Sequence, residues 1–184
     1  MNPWIFNPFK YIAGFKALMI GWAIMLATAC ISFFSKTHFD GVIDAHHALS
    51  ISFHWYIYLL EQFIAWVSAV IMFYVAGLIF SGSSIRFIDV AGTMALARWP
   101  AIFVALINFA MPPVKDLHNI GAGVIIIALA GLVFVIWMIA LIYHAFIVSC
   151  NLKAGKATLL FITALLLAEL LSKLVFHQLY RHIT

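Results

Sequence analysis

Five long apolar segments constrain the fold more than any other feature of the sequence. They lie at about 15–34, 56–80, 88–111, 123–148 and 157–176. An α-helix rises about 1.5 Å per residue, so about 20 residues cross the roughly 30 Å hydrocarbon core of a bilayer. The segments are continuously apolar and lack the alternation typical of membrane strands. The sequence therefore predicts an all-α, polytopic membrane bundle of five transmembrane helices, with residues 1–184 forming a single integral-membrane domain.

The composition agrees with lipid as the solvent of this chain. Hydrophobic residues make up 66% and charged residues 9% of the sequence, whereas a soluble domain carries about 25% charged residues. The net charge of +4 comes from Lys and Arg scattered between the apolar segments, without the basic stripe that nucleic-acid binding requires. We therefore expect membrane lipids as partners and no nucleic acid.

The flanking cations predict an orientation. Cytoplasmic loops of membrane proteins carry an excess of Lys and Arg. With the N-terminus in the cytoplasm, the inner side holds Lys10, Lys16, Arg86, Lys153 and Lys156, and the outer side holds Lys36, Lys115 and Arg181. This excess predicts a cytoplasmic N-terminus and, after five crossings, a C-terminus outside.

The third segment differs from the others because Pro100 interrupts it. Only eleven residues separate Pro100 from Pro112, too few to span. The helix must therefore begin upstream, near Arg86, and be kinked or broken at Pro100 because proline removes a helical hydrogen bond. The alternative is an interfacial helix up to Trp99, followed by a short helix that dips into the membrane. Ala91, Gly92 and Ala95 form a small-residue face that permits close helix approach.

Four charged residues fall inside the predicted spans. By helical rise, Arg98 lies about 12–15 Å and Glu169 about 18 Å from the inner surface. Lys173 lies one turn beyond Glu169 on the same face. Glu61, on the second span, which is entered from outside, lies at a similar depth to Lys173. Because intramembrane charges face the bundle interior and pair, we expect a polar seam joining Arg98 to Glu169, and Lys173 to Glu61 or Glu169. Such a seam either only fixes helix register or forms part of a ligand, lipid or ion pathway.

Histidine and aspartate gather in the segment "KTHFDGVIDAHHALSISFHW" before the second span. Imidazole and carboxylate groups are ligands that Zn²⁺ accepts. The candidate zinc ligands are Asp44, His46, His47, His54 and His118. If this segment were helical, Asp40, Asp44, His47 and His54 would share a face. No HExxH or CxxC spacing is present, so a pH-responsive loop and a purely structural role remain alternatives.

The residues resemble those of a known family. The block "SGSSIRFIDVAGTMALARWP" after the second span, "HFDGVIDAHH" before it and "EQFIAW" within it are similar to the bacterial branch of the Yip family, the Ypt/Rab-interacting proteins. The resemblance implies a five-helix fold, a non-enzymatic role and, for this branch, a bacterial inner membrane. Eukaryotic relatives bind prenylated small GTPases and carry a long cytosolic N-terminal region. This chain lacks that region, so a GTPase partner is not expected here.

These observations lead to three functional hypotheses. The first is a non-catalytic membrane protein of Yip type without a cofactor, which acts as a scaffold, an accessory subunit or a lipid-interacting protein. Its protein partner would be another membrane protein, such as an exporter, or a second copy of the chain. Its inner-face polar patch for a partner or headgroup would consist of Arg86, Asp89, Lys153 and Lys156. The second is a small transporter or channel component that uses the seam. The third is an outer-face metal-dependent enzyme.

Overall fold

A computed structural model describes residues 3–47, 53–112, 121–152 and 154–183, without the side chains of residues 3, 4, 154, 156, 182 and 183. Its α-helices are α1 (Pro3–Phe6), α2 (Gly14–Ser35), α3 (Trp55–Phe80), α4 (Phe87–Ala97), α5 (Ala101–Ile107), α6 (Ala122–Ser149) and α7 (Ala154–Ile183), with short 3₁₀ turns at Pro8–Lys10 and Asn108–Ala110. Within this part of the chain, five helical segments are long and apolar enough to cross a membrane. The predicted five-helix membrane architecture is confirmed.

The third segment lies at the centre of the bundle. Of its most apolar 18 residues 72% are buried inside the protein, against 22–33% for the other four spans. It consists of α4 and α5, with Arg98, Trp99 and Pro100 in a turn between them. A kink at Pro100 stays a prediction. Pro100 lies between the two helical pieces, and the nearby Arg98 is buried.

Close packing of α2 against α4 explains the small residues on one face of α4. Ala91, Gly92 and Ala95 are all buried. A Cβ on Gly92 would overlap the carbonyl oxygen of Gly14 and lie 3.0 Å from the backbone nitrogen of Leu18. Only a residue without a side chain lets the two backbones approach this closely, as is usual where membrane helices cross.

Replacing Gly92 with alanine is therefore expected to destabilise the bundle by about 1–3 kcal/mol, the usual cost of overpacking. The measurement is the free energy of unfolding from a titration with sodium dodecyl sulfate in mixed micelles. Gly82→Ala is the matched control, because nothing lies within 4 Å of a Cβ at that position. Equal stability of the two variants would contradict the close α2–α4 crossing.

Residues 36–47, which we call the hairpin segment, connect α2 to the chain leading into α3. Helix α2 ends at Ser35, and the next residue, Lys36, adopts the left-handed conformation at φ 54°. Strand β1 (Thr37–His38) then pairs antiparallel with β2 (His46–His47), with Thr37 opposite His47. The helical arrangement of this segment considered from the sequence is therefore wrong. A two-stranded hairpin is marginal alone in water, so its position must depend on contacts with the helices.

Candidate functional site: the charged anchor of the hairpin segment

Glu61 on α3 holds the start of the hairpin segment. It is fully buried. One carboxylate oxygen accepts hydrogen bonds from Nδ1 of His38 at 2.5 Å and from the hydroxyl of Tyr180 at 2.7 Å. The other accepts the backbone N–H of Phe39 at 2.9 Å. Thus Glu61 joins α3, α7 and the hairpin segment through three donors, which compensates for burying a carboxylate.

Arg98, at the end of α4, holds the middle of the same segment. It is 2% exposed. One terminal guanidinium nitrogen donates to the carbonyl oxygen of Val42 at 2.8 Å, and the other donates to Oε1 of Gln62 at 3.3 Å. The forked guanidinium therefore bridges the hairpin segment and α3, which a single ammonium group could not do in the same geometry. Among the described residues, Nε of Arg98 and Nε2 of Gln62 have no hydrogen-bond partner.

Glu169 on α7 also binds the hairpin backbone. Its Oε2 accepts the N–H of Ile43 at 3.1 Å. A Cβ on Gly41 would overlap the Glu169 carboxylate, so the glycine at this position lets the chain reach the side chain. Within the described residues no ion pair joins Arg98 to Glu169. The predicted direct pair is wrong: the two side chains meet the hairpin at the neighbouring residues Val42 and Ile43.

Lys173, one turn beyond Glu169 on α7, closes the turn of the hairpin. Its ammonium donates to Oδ1 of Asp40 at 2.9 Å and to the carboxylate of Asp44. The predicted pairing of Lys173 with Glu61 or Glu169 is therefore wrong. All four predicted seam residues are instead brought together by one target, the segment from His38 to Asp44, in which each meets a different group.

Sequence reasoning missed residues of the hairpin segment and one residue of α7, Tyr180. Asp40 stood outside the predicted seam, and His38 and Tyr180 were not candidates. The signal for Asp40 was its spacing of four residues from Asp44 on either side of a turn. Backbone partners such as Val42 and Ile43 have no sequence signal, because any residue carries the same N–H and C=O groups.

The predicted inner-face patch is described only in part. Nε of Arg86 lies 3.0 Å from Oδ2 of Asp89, and the Arg86 side chain is 72% exposed. This pair is one short helical contact at the start of α4, worth little by itself. Lys153 and the side chain of Lys156 lie outside the described residues.

The candidate metal ligands come together only in part. Side-chain ligand atoms of Asp40, Asp44 and His46 lie within 4.8 Å of one another. The Lys173 ammonium contacts both carboxylates, so a metal ion bound by these groups would compete with it. His47 pairs with Thr37 in the hairpin, and His54 precedes α3 with its ring stacked on Tyr56. His118 lies outside the described residues.

Charge pairing shifts the titration of the hairpin groups. Burial alone would raise the pKa of Asp40, but hydrogen bonds from His46 and Lys173 lower this pKa to about 2 from its ordinary 3.8. The hydrogen bond to Asp40 raises the pKa of His46 above its ordinary 6.5, and the charges of Asp40, Asp44 and Glu61 act in the same direction. The ring is half exposed, and Nδ1 lies 3.4 Å from Oδ1 of Asp40.

These shifts predict how the hairpin depends on pH. The contribution of Asp40 is present above pH 3.8 and is lost as the pH falls towards 2. The contribution of His46 is present below pH 6.5 and is lost as the pH rises through the raised pKa. We therefore expect the Asp40–His46 contact to be strongest between pH 3.8 and 6.5. An NMR titration of the His46 imidazole in nanodiscs measures this directly.

Two carboxylate variants control that titration. Asp40→Asn should bring the pKa of His46 back towards 6.5, because it removes the hydrogen bond that is the main cause of the shift. Asp44→Asn should have a smaller effect, since Asp44 acts on His46 only through its charge, from 3.9 Å. A larger effect of Asp44→Asn than of Asp40→Asn would contradict this assignment.

A cleft of about 380 Å³ borders the hairpin on the side of α6. Asp44, His46, His47 and Asn108 line its polar end. The rest is apolar, with Val104 and Met111 on one side and Ile127, Ala128, Gly131, Leu132 and Val135 of α6 on the other. Arg98 does not line this cleft. The volume of the cleft is in the range of about 300–1,000 Å³ that is usual for small-molecule sites.

Taken together, the site is an anchor for a loop, built from four buried or half-buried charges, beside an amphipathic cleft.

In comparisons with known proteins, no family model, curated protein or solved structure matches this chain.

Proposed function

We propose that the chain is a non-catalytic integral membrane protein of Yip type, which acts as a scaffold, an accessory subunit or a lipid-interacting protein. In this proposal it lies in a bacterial inner membrane with a cytoplasmic N-terminus and an outer C-terminus. Its hairpin segment would then lie at the outer face, and Arg86 and Asp89 at the inner face, where they would meet a partner protein or a lipid headgroup.

One observation carries the proposal: each charged group of the seam is engaged with the hairpin segment. Arg98 and Glu169 bind backbone groups at Val42 and Ile43, and Lys173 binds two hairpin carboxylates. Charges in a transport pathway must exchange partners with ions, substrate or water. Charges that close a loop onto the bundle support a fixed structural or binding role instead.

Proteoliposomes test the proposal. We expect the reconstituted protein to leave proton and potassium permeability at the level of protein-free liposomes, and Arg98→Lys to change nothing. In native membranes, chemical cross-linking should give a discrete complex with another copy or another membrane protein, and Arg86→Glu should weaken it. Ion flux that depends on Arg98 would contradict the proposal.

A second candidate, a small transporter or channel component, is favoured by one detail. Nε of Arg98 and Nε2 of Gln62 are buried donors without partners among the described residues. Buried donors of this kind usually bind ordered water, and water beside a buried arginine is a feature of polar pathways. The same proteoliposome measurement separates this candidate from the first, because only a pathway predicts flux.

A further inference from the structure

The small residues of α6 create a hollow that is not used for helix packing. At Gly92 an added Cβ would overlap the neighbouring backbone, whereas at Gly131 the nearest atom to an added Cβ is Cγ1 of Val104 at 3.9 Å. Ala128, one turn earlier, lines the same cleft. Helix α6 therefore carries two small residues at a spacing of three, facing room that a larger side chain could fill.

The position of the hollow matches one lipid leaflet. Helix α6 begins at Ala122, so Ala128, Gly131 and Val135 lie about 9, 14 and 20 Å along it. Leu132, at the side of the cleft, is 50% exposed on the surface that faces lipid. An acyl chain can thus enter the cleft sideways from the bilayer, at the depth where the hydrocarbon of the nearer leaflet lies.

The polar end of the cleft carries both signs of charge. Asp44 lines this end, and Asp44 and Asp40 share one ammonium, that of Lys173, so two carboxylates face a single ammonium. His46 and His47 supply imidazole nitrogens, and Nδ1 of His47 is buried without a partner among the described residues. The ammonium of a zwitterionic headgroup can contact the carboxylate, and its phosphate can accept hydrogen bonds from the imidazoles. An anionic headgroup without an ammonium would add a third negative charge beside two carboxylates that share one ammonium.

From these observations we propose that the cleft between the hairpin segment, α5 and α6 binds one zwitterionic, amine-bearing phospholipid. One acyl chain lies along Ala128, Gly131 and Leu132. The headgroup ammonium lies near Asp44, and the phosphate accepts hydrogen bonds from His46 and His47. This inference rests on the proposed lipid-interacting function and names its site and ligand class.

Native mass spectrometry of the purified chain, delipidated and then given phosphatidylethanolamine or phosphatidylglycerol, tests it. We expect one tightly bound phosphatidylethanolamine, with at least a tenfold preference over phosphatidylglycerol. Gly131→Phe should weaken phosphatidylethanolamine binding at least tenfold by filling the cleft. Leu129→Phe, which adds similar volume at an exposed position of the same helix, should not. Equal binding of the two lipids, or equal affinity of the Gly131→Phe and Leu129→Phe variants, would overturn the proposal.

A photo-reactive amino acid at Leu132 gives a second readout that does not depend on a folded Gly131 variant. In bilayers containing both lipids, it should cross-link to phosphatidylethanolamine more than the same probe at Leu129 does. Cross-links from Leu132 only to protein would overturn the lipid site. Loss of the lipid site without ion flux would leave the scaffold function standing, whereas Arg98-dependent flux contradicts that function whatever the lipid binding.

Discussion

Replacing Glu61 with alanine is expected to lower the free energy of unfolding by about 3–5 kcal/mol, as when one partner of a buried charged contact is removed. The substitution removes an acceptor that the His38 ring, the Phe39 amide and the Tyr180 hydroxyl share, and His38 and Phe39 are fully buried. Each stranded buried group costs about 1–3 kcal/mol. Unfolding with sodium dodecyl sulfate in mixed micelles gives the difference.

Two variants show whether the loss comes from these contacts. Glu61→Gln keeps an acceptor oxygen but turns an amide N–H₂ towards one of the three donors, so we expect about half the loss. Ser68→Ala, also buried on α3, should change stability by roughly 1 kcal/mol or less. If Glu61→Ala cost no more than Ser68→Ala, Glu61 would not be an anchor.

Arg98→Met is expected to have the second largest effect, a loss of about 3–5 kcal/mol. Two hydrogen bonds from a charged group disappear, each worth about 1.5–3 kcal/mol, and the Val42 carbonyl loses its donor. Replacing a whole buried charged network with apolar residues can stabilise a protein, but removing one member leaves the others stranded. The same micelle titration measures the loss.

Arg98→Lys is the matched variant for this position. It keeps the positive charge but cannot reach both Val42 and Gln62 with a fork, so it should recover only part of the lost stability. Full recovery by lysine would mean that charge alone matters. An Arg98→Met protein as stable as the wild type would show that the Val42 contact does not hold the hairpin.

The sequence alone was sufficient to predict the membrane architecture. Each long apolar segment is helical, the third as the two pieces α4 and α5, because a backbone in lipid must satisfy its own hydrogen bonds. The burial of Arg98 and Glu61, and the partial burial of Glu169, also followed from physical reasoning, since charges in apolar spans turn inward. The small-residue face at Gly92 was correctly assigned to close helix packing, because a Cβ at this position would overlap the backbone of α2.

The pairing of the charges could not be predicted from the sequence. Depth arithmetic places Arg98 and Glu169 at similar levels but assumes that the space between the helices contains only side chains. The hairpin segment enters that space, and its backbone groups at Phe39, Val42 and Ile43 become the partners. A two-residue strand pair has almost no hydrophobic periodicity, so nothing in the pattern announced it. Gly41, which permits the approach to Glu169, and the spacing of Asp40 from Asp44 were local indications of a turn.

The cleft also could not be predicted from the sequence. Ala128 and Gly131 look like residues for close helix packing, as Gly92 is. Only the coordinates show that Val104 stands 3.9 Å from a Cβ at Gly131 rather than in collision with it. Small residues in apolar helices thus have two opposite uses, and the sequence does not distinguish them.

Amide hydrogen exchange at Phe39 and Ile43, measured in nanodiscs, tests the central claim most directly. If buried carboxylates anchor the hairpin, both amides should exchange as slowly as helical amides in the wild type. Glu61→Ala should then speed exchange first at Phe39, and Glu169→Ala first at Ile43. Rapid exchange of both amides in the wild type, at the rate of the exposed backbone around Gly82, would contradict the account.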